Sequence, residues 1–143
     1  MLLRAVASAE AAGPSALAPL LMWSAWQRMH AGDTDGAAVP LTRGLQLGRD
    51  EGNTYCVLAC CFMTAAVATR RRQLESGAAL LAGTARYADP KGLRGWEYTA
   101  SRAEAETAVD ASPVDLSPAC ARGAAMTIDD LVNEALRVVG QGP

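Results

Sequence analysis

The feature that most constrains this chain is an uncharged stretch from Asn53 to Thr69, which the run Arg70 to Arg72 ends abruptly. Its apolar side chains point to every side of a helical wheel, with Leu58 and Phe62 on one side and Val57 on another. A helix that is apolar all round is buried either between other helices or in lipid. The rest of the chain has amphipathic segments that could cover it, so we expect a central core helix.

The same stretch has a membrane interpretation, because a short apolar segment followed by arginines mimics a spanning helix with a positive flank. However, about 17 residues is the lower limit for a span, and the dense part from Tyr55 to Ala68 has the length of a buried core helix. The sequence favours the core helix, and a small membrane-associated protein using residues 53–69 is the alternative. Met1 to Ala12 contains Glu10 and lacks the apolar centre of a signal peptide.

Composition limits the function classes. The 143 residues suffice for one domain with a real core, and they are rich in alanine with only seven aromatics, which favours closely packed helices. A net charge of −2 and a pI near 5.3 give no reason to expect a polyanionic partner. Four cysteines in a domain of this size do not form the pattern of a secreted disulfide framework, so we expect a reducing cytoplasm.

Helix signals run along the whole chain, and no alternating pattern typical of a strand interrupts them. Pro40 is awkward in its helix unless that helix begins at Val39. Thr127 and Asp130 have capping-box spacing, with Asp in place of the usual Glu. The predicted helix starts are Met1, a position between Ser15 and Pro19, the Thr34-Asp35 cap, Asn53 or Thr54, Ser76-Gly77, Trp96 and Thr127, with a short helical turn from Ser117.

A short motif recurs along the chain. Gly36-Ala37-Ala38-Val39 returns further on as Gly77-Ala78-Ala79-Leu80, each time after a polar turn that follows an apolar helix. Two helices per repeat at a period of this length are typical of helical-hairpin arrays. The sequence therefore predicts an all-α fold of antiparallel helical hairpins, a tetratricopeptide-like array of about six to seven helices. It would form one domain over 1–143, with an N-terminal helix at 1–14, two hairpins at 15–88 and C-terminal helices at 94–140.

Two segments resemble a known family. Residues 119–136, ACARGAAMTIDDLVNEAL, and residues 80–85, LLAGTA, resemble the tetratricopeptide-like region of LuxR-type bacterial transcriptional regulators that carry a signal-transduction ATPase module. The resemblance spans roughly residues 17–139. Cys120 stands where the family usually has an aromatic residue and Ala124 where it has arginine. The chain contains neither the phosphate-binding loop nor the helix-turn-helix of such regulators.

The resemblance implies a non-catalytic helical-repeat module for protein–protein interaction or effector sensing in bacterial transcriptional regulation. It implies a protein partner or attached regulatory domains, with a dimer as an open alternative, and no direct binding of nucleic acid by this chain. The alternative function is a truncated regulator remnant without independent activity.

No catalytic, cofactor-binding or metal-binding residue is predicted. Cys56, Cys60 and Cys61 are close on one helix, but a zinc site would need further ligands, and only Cys120 and His30 are candidates. We interpret the three cysteines as small buried hydrophobic residues. His30 lacks the neighbours of a catalytic triad and suits a helix end. No acidic residues form a credible acid–base pair.

A candidate interaction surface comprises Trp23, Trp26, Arg70, Arg71 and Arg72. The two tryptophans are three residues apart and adjacent on one helix face, which is exposed if the hairpins form a docking groove and buried if the face packs in the core. The arginines form the chain's only basic cluster. They either contact a partner or form a solvated helix end that offsets the helix dipole.

Overall fold

The computed structural model describes residues 4, 5, 7, 8 and 14–140, and within them the protein is all-α. The predicted helix at 1–14 therefore lies mostly outside the described residues, of which 4, 5, 7 and 8 are helical. Seven helices follow from residue 14 onward. They are α1 (Pro14–His30), α2 (Thr34–Glu51), α3 (Thr54–Arg70), α4 (Leu74–Ala88), α5 (Trp96–Asp110), α6 (Ser117–Ala124) and α7 (Ile128–Gly140).

Helix α3 is the centre of the fold, as the uncharged stretch predicts. Every residue from Cys56 to Thr69 is buried, and α1, α2, α4, α5 and α7 all pack against it. Asn53 caps the helix by accepting a hydrogen bond of 3.1 Å from the backbone N–H of Cys56. No helix in the described part of the chain is long and apolar enough to cross a membrane.

The turns between the first helices repeat at a regular spacing. Left-handed residues with φ between 63° and 79° occur at Gly32, Gly52, Arg72 and Gly92, which are evenly spaced in the sequence. After each of them, the next backbone N–H donates to the carbonyl five residues earlier, at 2.8 to 3.1 Å. This is the Schellman bond that satisfies the free carbonyls of a helix end. Two helices with their turns therefore form one repeating unit, and the short turns make neighbouring helices antiparallel.

The sequence echo lies one residue out of this structural register. Gly32 and Arg72 are equivalent turn positions, so Gly36 is equivalent to Ser76 and not to Gly77. Helix α4 begins at Leu74, two residues before the predicted start, because its N-cap Gln73 makes no side-chain capping bond that would mark the position in the sequence. Helix α2 begins at Thr34 after an Asp33 cap, which places Pro40 inside the helix.

The C-terminal helices close over the two hairpins. Helix α7 packs on α2, α3 and α4, and α5 packs on α1, α3 and α4. In an open solenoid each repeat contacts only its neighbours, whereas here residues 128–140 return to the first hairpin. The predicted capping box of α7 is present, with Thr127 and Asp130 exchanging bonds of 3.0 and 3.1 Å between backbone N–H and side-chain oxygen.

Candidate interaction site

A small pocket lies where the C-terminal end of α1 meets the middle of α5. Its volume is about 180 Å³, which is room for one side chain. We name it the Trp26 pocket. It is lined by Trp26, Met29, His30, Arg70, Ala100, Ser101 and Glu104.

An aromatic cluster forms one side of this site. The ring of Trp26 stacks on His30 at a centroid distance of 5.3 Å, and the ring of Trp96 meets Trp26 edge-on at 5.1 Å and 77°. Trp26 is half-buried against the core, while 59% of Trp96 is exposed. Edge-on pairs of this kind are favourable beyond the area that they bury, so the two indole rings hold one another in a defined orientation.

Arg70 forms the opposite, polar side. Its Nε and Nη2 donate to the two carboxylate oxygens of Glu104 at 2.7 and 2.8 Å, and Nη2 also donates to the carbonyl of Met29 at 3.0 Å. Nη1 donates to the hydroxyl of Thr34 at 3.2 Å. This one side chain thereby connects α3 with α1, α2 and α5. The bidentate hydrogen bond with Glu104 raises the pKa of Arg70 further, so its charge is fixed.

The other two arginines have different environments. Arg71 donates to the carbonyl of Val138 at 3.0 Å and to Asp35 at 2.8 Å, and only 8% of its side chain is exposed. It therefore supports the last turn of α7 and joins that turn to α2. Neither Arg70 nor Arg71 is a solvated helix end. Of the three, Arg72 has the exposed side chain.

The structure thus brings together two of the five residues of the predicted surface, Trp26 and Arg70. Trp23 is half-buried and lies outside the pocket lining. Sequence reasoning missed Trp96 and Glu104 as members of the site. Trp96 and Glu104 are each four residues from Ala100 in the sequence, so the three residues share one face of α5, and that face could have been recognised. Nothing in the sequence links that face to α1.

The cysteines of α3 are buried, as interpreted from the sequence. Cys56, Cys60 and Cys61 are at most 1% exposed, and burial raises the pKa of Cys61 to about 12. The Cys61 thiol therefore stays protonated at neutral pH, and all three cysteines act as small packing residues. No group of three or more potential metal ligands is close together among the described residues.

Comparison with known proteins identifies no relative. The sequence matches no known protein family's profile, and searches of curated proteins and of solved structures each returned no significant match.

Proposed function

We propose that this protein is a non-catalytic helical-hairpin module that binds a segment of a partner protein at the Trp26 pocket. The observation that carries the proposal is the exposure of Trp96 beside the half-buried Trp26. Tryptophan is strongly enriched among the residues that dominate the free energy of protein–protein binding. Because 59% of Trp96 is exposed, burial of this apolar area against a partner would contribute favourably to the free energy of binding.

The size and charge of the pocket support an apolar occupant. A volume of about 180 Å³ admits one apolar side chain, and the Arg70–Glu104 pair already satisfies both of its charges. A partner therefore need not bring a charged group into the pocket. The partner is a protein segment that places one leucine-sized or aromatic side chain against Trp26 and packs on the exposed ring of Trp96.

The setting that we propose is bacterial transcriptional regulation in the cytoplasm. The resemblance of residues 119–136 and 80–85 to LuxR-type regulators supports the regulatory part. Four cysteines without the pattern of a secreted disulfide framework support a reducing compartment. In such a regulator, binding at the Trp26 pocket would change the packing of α1 against α5, and an attached domain would respond to that change.

The experiment is a selection of binding peptides from a random phage-displayed library on the wild-type chain, followed by affinity measurement on Trp96→Ala and Val39→Ala. Both residues are exposed, at 59% and 66%, so neither change should disturb folding, which far-UV circular dichroism checks. We expect selected peptides to share an apolar residue and to bind Trp96→Ala at least about tenfold more weakly, with Val39→Ala unchanged. Failure to select any peptide, or equal binding to both variants, refutes the proposal.

A further inference from the structure

A line of exposed residues runs along the outer face of α5 and continues into the turn that follows this helix. Successive members are three or four residues apart, which is the spacing at which side chains share one face of a helix. All of them are exposed, so no helix in the described part of the chain covers this line. We name it the α5 seam, and its members are Trp96, Ala100, Ala103, Thr107, Asp110 and Val114.

The α5 seam has large side chains at its two ends and small ones in its middle. Trp96 and Val114 are 59% and 61% exposed, and Val39 is the one other large hydrophobic residue that the described part of the chain exposes. In the middle, the hydroxyl of Thr107 donates to the carbonyl of Ala103 at 2.9 Å, so it needs no partner outside the helix. Small side chains at a contact allow two helices to approach closely. The middle of the seam therefore suits the packing of a second helix.

Opposite charges lie at the two ends of the α5 seam. Lys91 and Arg94 precede its first residue, whereas Asp110 and Asp115 stand on either side of its last residue. All four are exposed, and none of them forms an ion pair within the described residues. Glu97 accepts a hydrogen bond from a tyrosine hydroxyl of α3 at 2.8 Å and is thus directed towards the core. The beginning of the seam is basic, and its end, about 21 Å away along α5, is acidic.

The basic end of the α5 seam also holds the Trp26 pocket. Ala100 lines this pocket, and Trp96 contacts its indole wall edge-on. At the acidic end, Val114 lies on a turn that Ser112 holds: its Oγ accepts from the backbone N–H of Val114 and donates to the carbonyl of Val114, both at 3.1 Å. A side chain on a turn that is already ordered loses little conformational entropy on binding. Val114 therefore suits a pocket that has room for one apolar side chain.

The α5 seam is complementary to itself when two copies place their α5 helices antiparallel. The acidic end of each seam, with Val114, then faces the basic end of the other, with Trp96, and a two-fold axis makes the two contacts identical. We propose that this chain forms a homodimer in which two antiparallel α5 helices pack on each other and Val114 of each copy enters the Trp26 pocket of the other. This proposal rests on the proposed function and names a second copy of the chain as the partner.

The test is sedimentation velocity of the full chain at concentrations from about 5 to 200 µM, because a contact built on one helix pair is small and its dissociation constant should be in the micromolar range. We expect the wild type to dimerise and Ala103→Arg to remain monomeric, since this change places two like charges at the centre of the helix pair. Ala121→Arg is the matched control: Ala121 is also exposed but lies on α6, outside the seam, so this variant should dimerise like the wild type. A monomeric wild type, or equal dimerisation of the two arginine variants, overturns the proposal.

Charge reversal tests the antiparallel orientation. Asp110→Lys and Arg94→Glu should each dimerise at least about tenfold more weakly than the wild type, because like charges then meet at both ends of the pair. An equimolar mixture of the two variants should dimerise more tightly than either alone. In the mixed dimer the new lysine faces the new glutamate at one end, and the original aspartate faces the original arginine at the other. A mixture that associates no better than its components contradicts this orientation.

These outcomes are separate from those of the peptide selection. A wild type that is monomeric but binds selected peptides at Trp96 overturns the dimer and keeps the proposed function. A dimer that Ala103→Arg abolishes, in a chain for which no peptide can be selected, supports the dimer and refutes the binding of other protein segments. Trp96→Ala should weaken the dimer at least about tenfold, and an unchanged dimer in this variant refutes the entry of Val114 into the Trp26 pocket.

Discussion

Arg72 occupies the left-handed position of its turn. The three equivalent turns have glycine at that position. Its φ is 63°, and its side chain is exposed. A residue with a Cβ atom in this conformation is strained by roughly 1 to 2 kcal/mol, because Cβ approaches the following carbonyl oxygen. The strain persists because the surrounding turn requires it: Gln73 donates to the carbonyl of Ala68 at 2.8 Å and closes the end of α3.

Replacement of Arg72 by glycine should therefore stabilise the protein. The free energy gained by relief of the strain exceeds the entropic cost of ordering glycine on folding. The free energy of unfolding should therefore rise by about 0.5 to 1 kcal/mol. Urea unfolding followed by circular dichroism measures this change. The reverse substitution, Gly52→Arg, is the matched control: a Cβ atom there meets nothing within 4 Å, so only the strain is added and stability should fall. A lower stability of Arg72→Gly would show that the arginine side chain makes a contact that outweighs the strain.

At the scale of helices, the packing of α6 depends on a close approach of its backbone to the backbone of α4. A Cβ atom added to Gly123 would lie 2.0 Å from the carbonyl oxygen of Ala79 on α4, and one added to Gly83 would lie 2.6 Å from the carbonyl oxygen of Gly123. The two backbones are therefore in direct contact, without intervening side chains. Small residues allow helices to approach this closely, which explains why glycine and alanine occupy the facing positions of α4 and α6.

Substitution of Gly123 by alanine should separate α6 from α4. The clash is with backbone atoms that cannot move alone, so we expect a loss of about 3 kcal/mol or more in the free energy of unfolding. Gly140→Ala is the matched control, because a Cβ atom there meets nothing within 4 Å and alanine favours a helix. Denaturant unfolding of both variants provides the comparison. Equal stability of the two would mean that α6 is not held as tightly as the backbone contact requires.

The elements that could be predicted from sequence are those specified by neighbouring residues. The capping bonds of Asn53 and of the Thr127–Asp130 pair join residues only three apart, so these helix starts are visible in the local sequence. The absence of charge along α3 likewise indicates its burial. The start of α4 was missed because Gln73 makes no capping bond. The candidate site could be predicted only in part: Trp26 and Arg70 belong to the predicted surface, but Glu104 lies 34 residues from Arg70, and no local pattern links the two.

For the molecule as a whole, the enclosure of α3 by five other helices bears on whether the chain is an autonomous module or a remnant. A remnant with exposed array ends would unfold in stages or remain partly open. A fold in which α7 returns to α2 and α5 contacts both hairpins joins distant parts of the sequence, and this favours a single cooperative transition. The cysteines offer a direct measure of this cooperativity.

Cysteine labelling should distinguish the two cases. Cys56, Cys60 and Cys61 are at most 1% exposed, whereas Cys120 on α6 is partly exposed. Ellman's reagent at neutral pH should therefore modify one thiol quickly and three slowly, and all four at once in guanidinium chloride. Because the three buried thiols lie on one central helix, they should share a single slow rate set by global opening. Cys120→Ser should remove the fast phase alone. Several fast thiols, or three different slow rates, would show that α3 opens locally and would favour the remnant over an autonomous module.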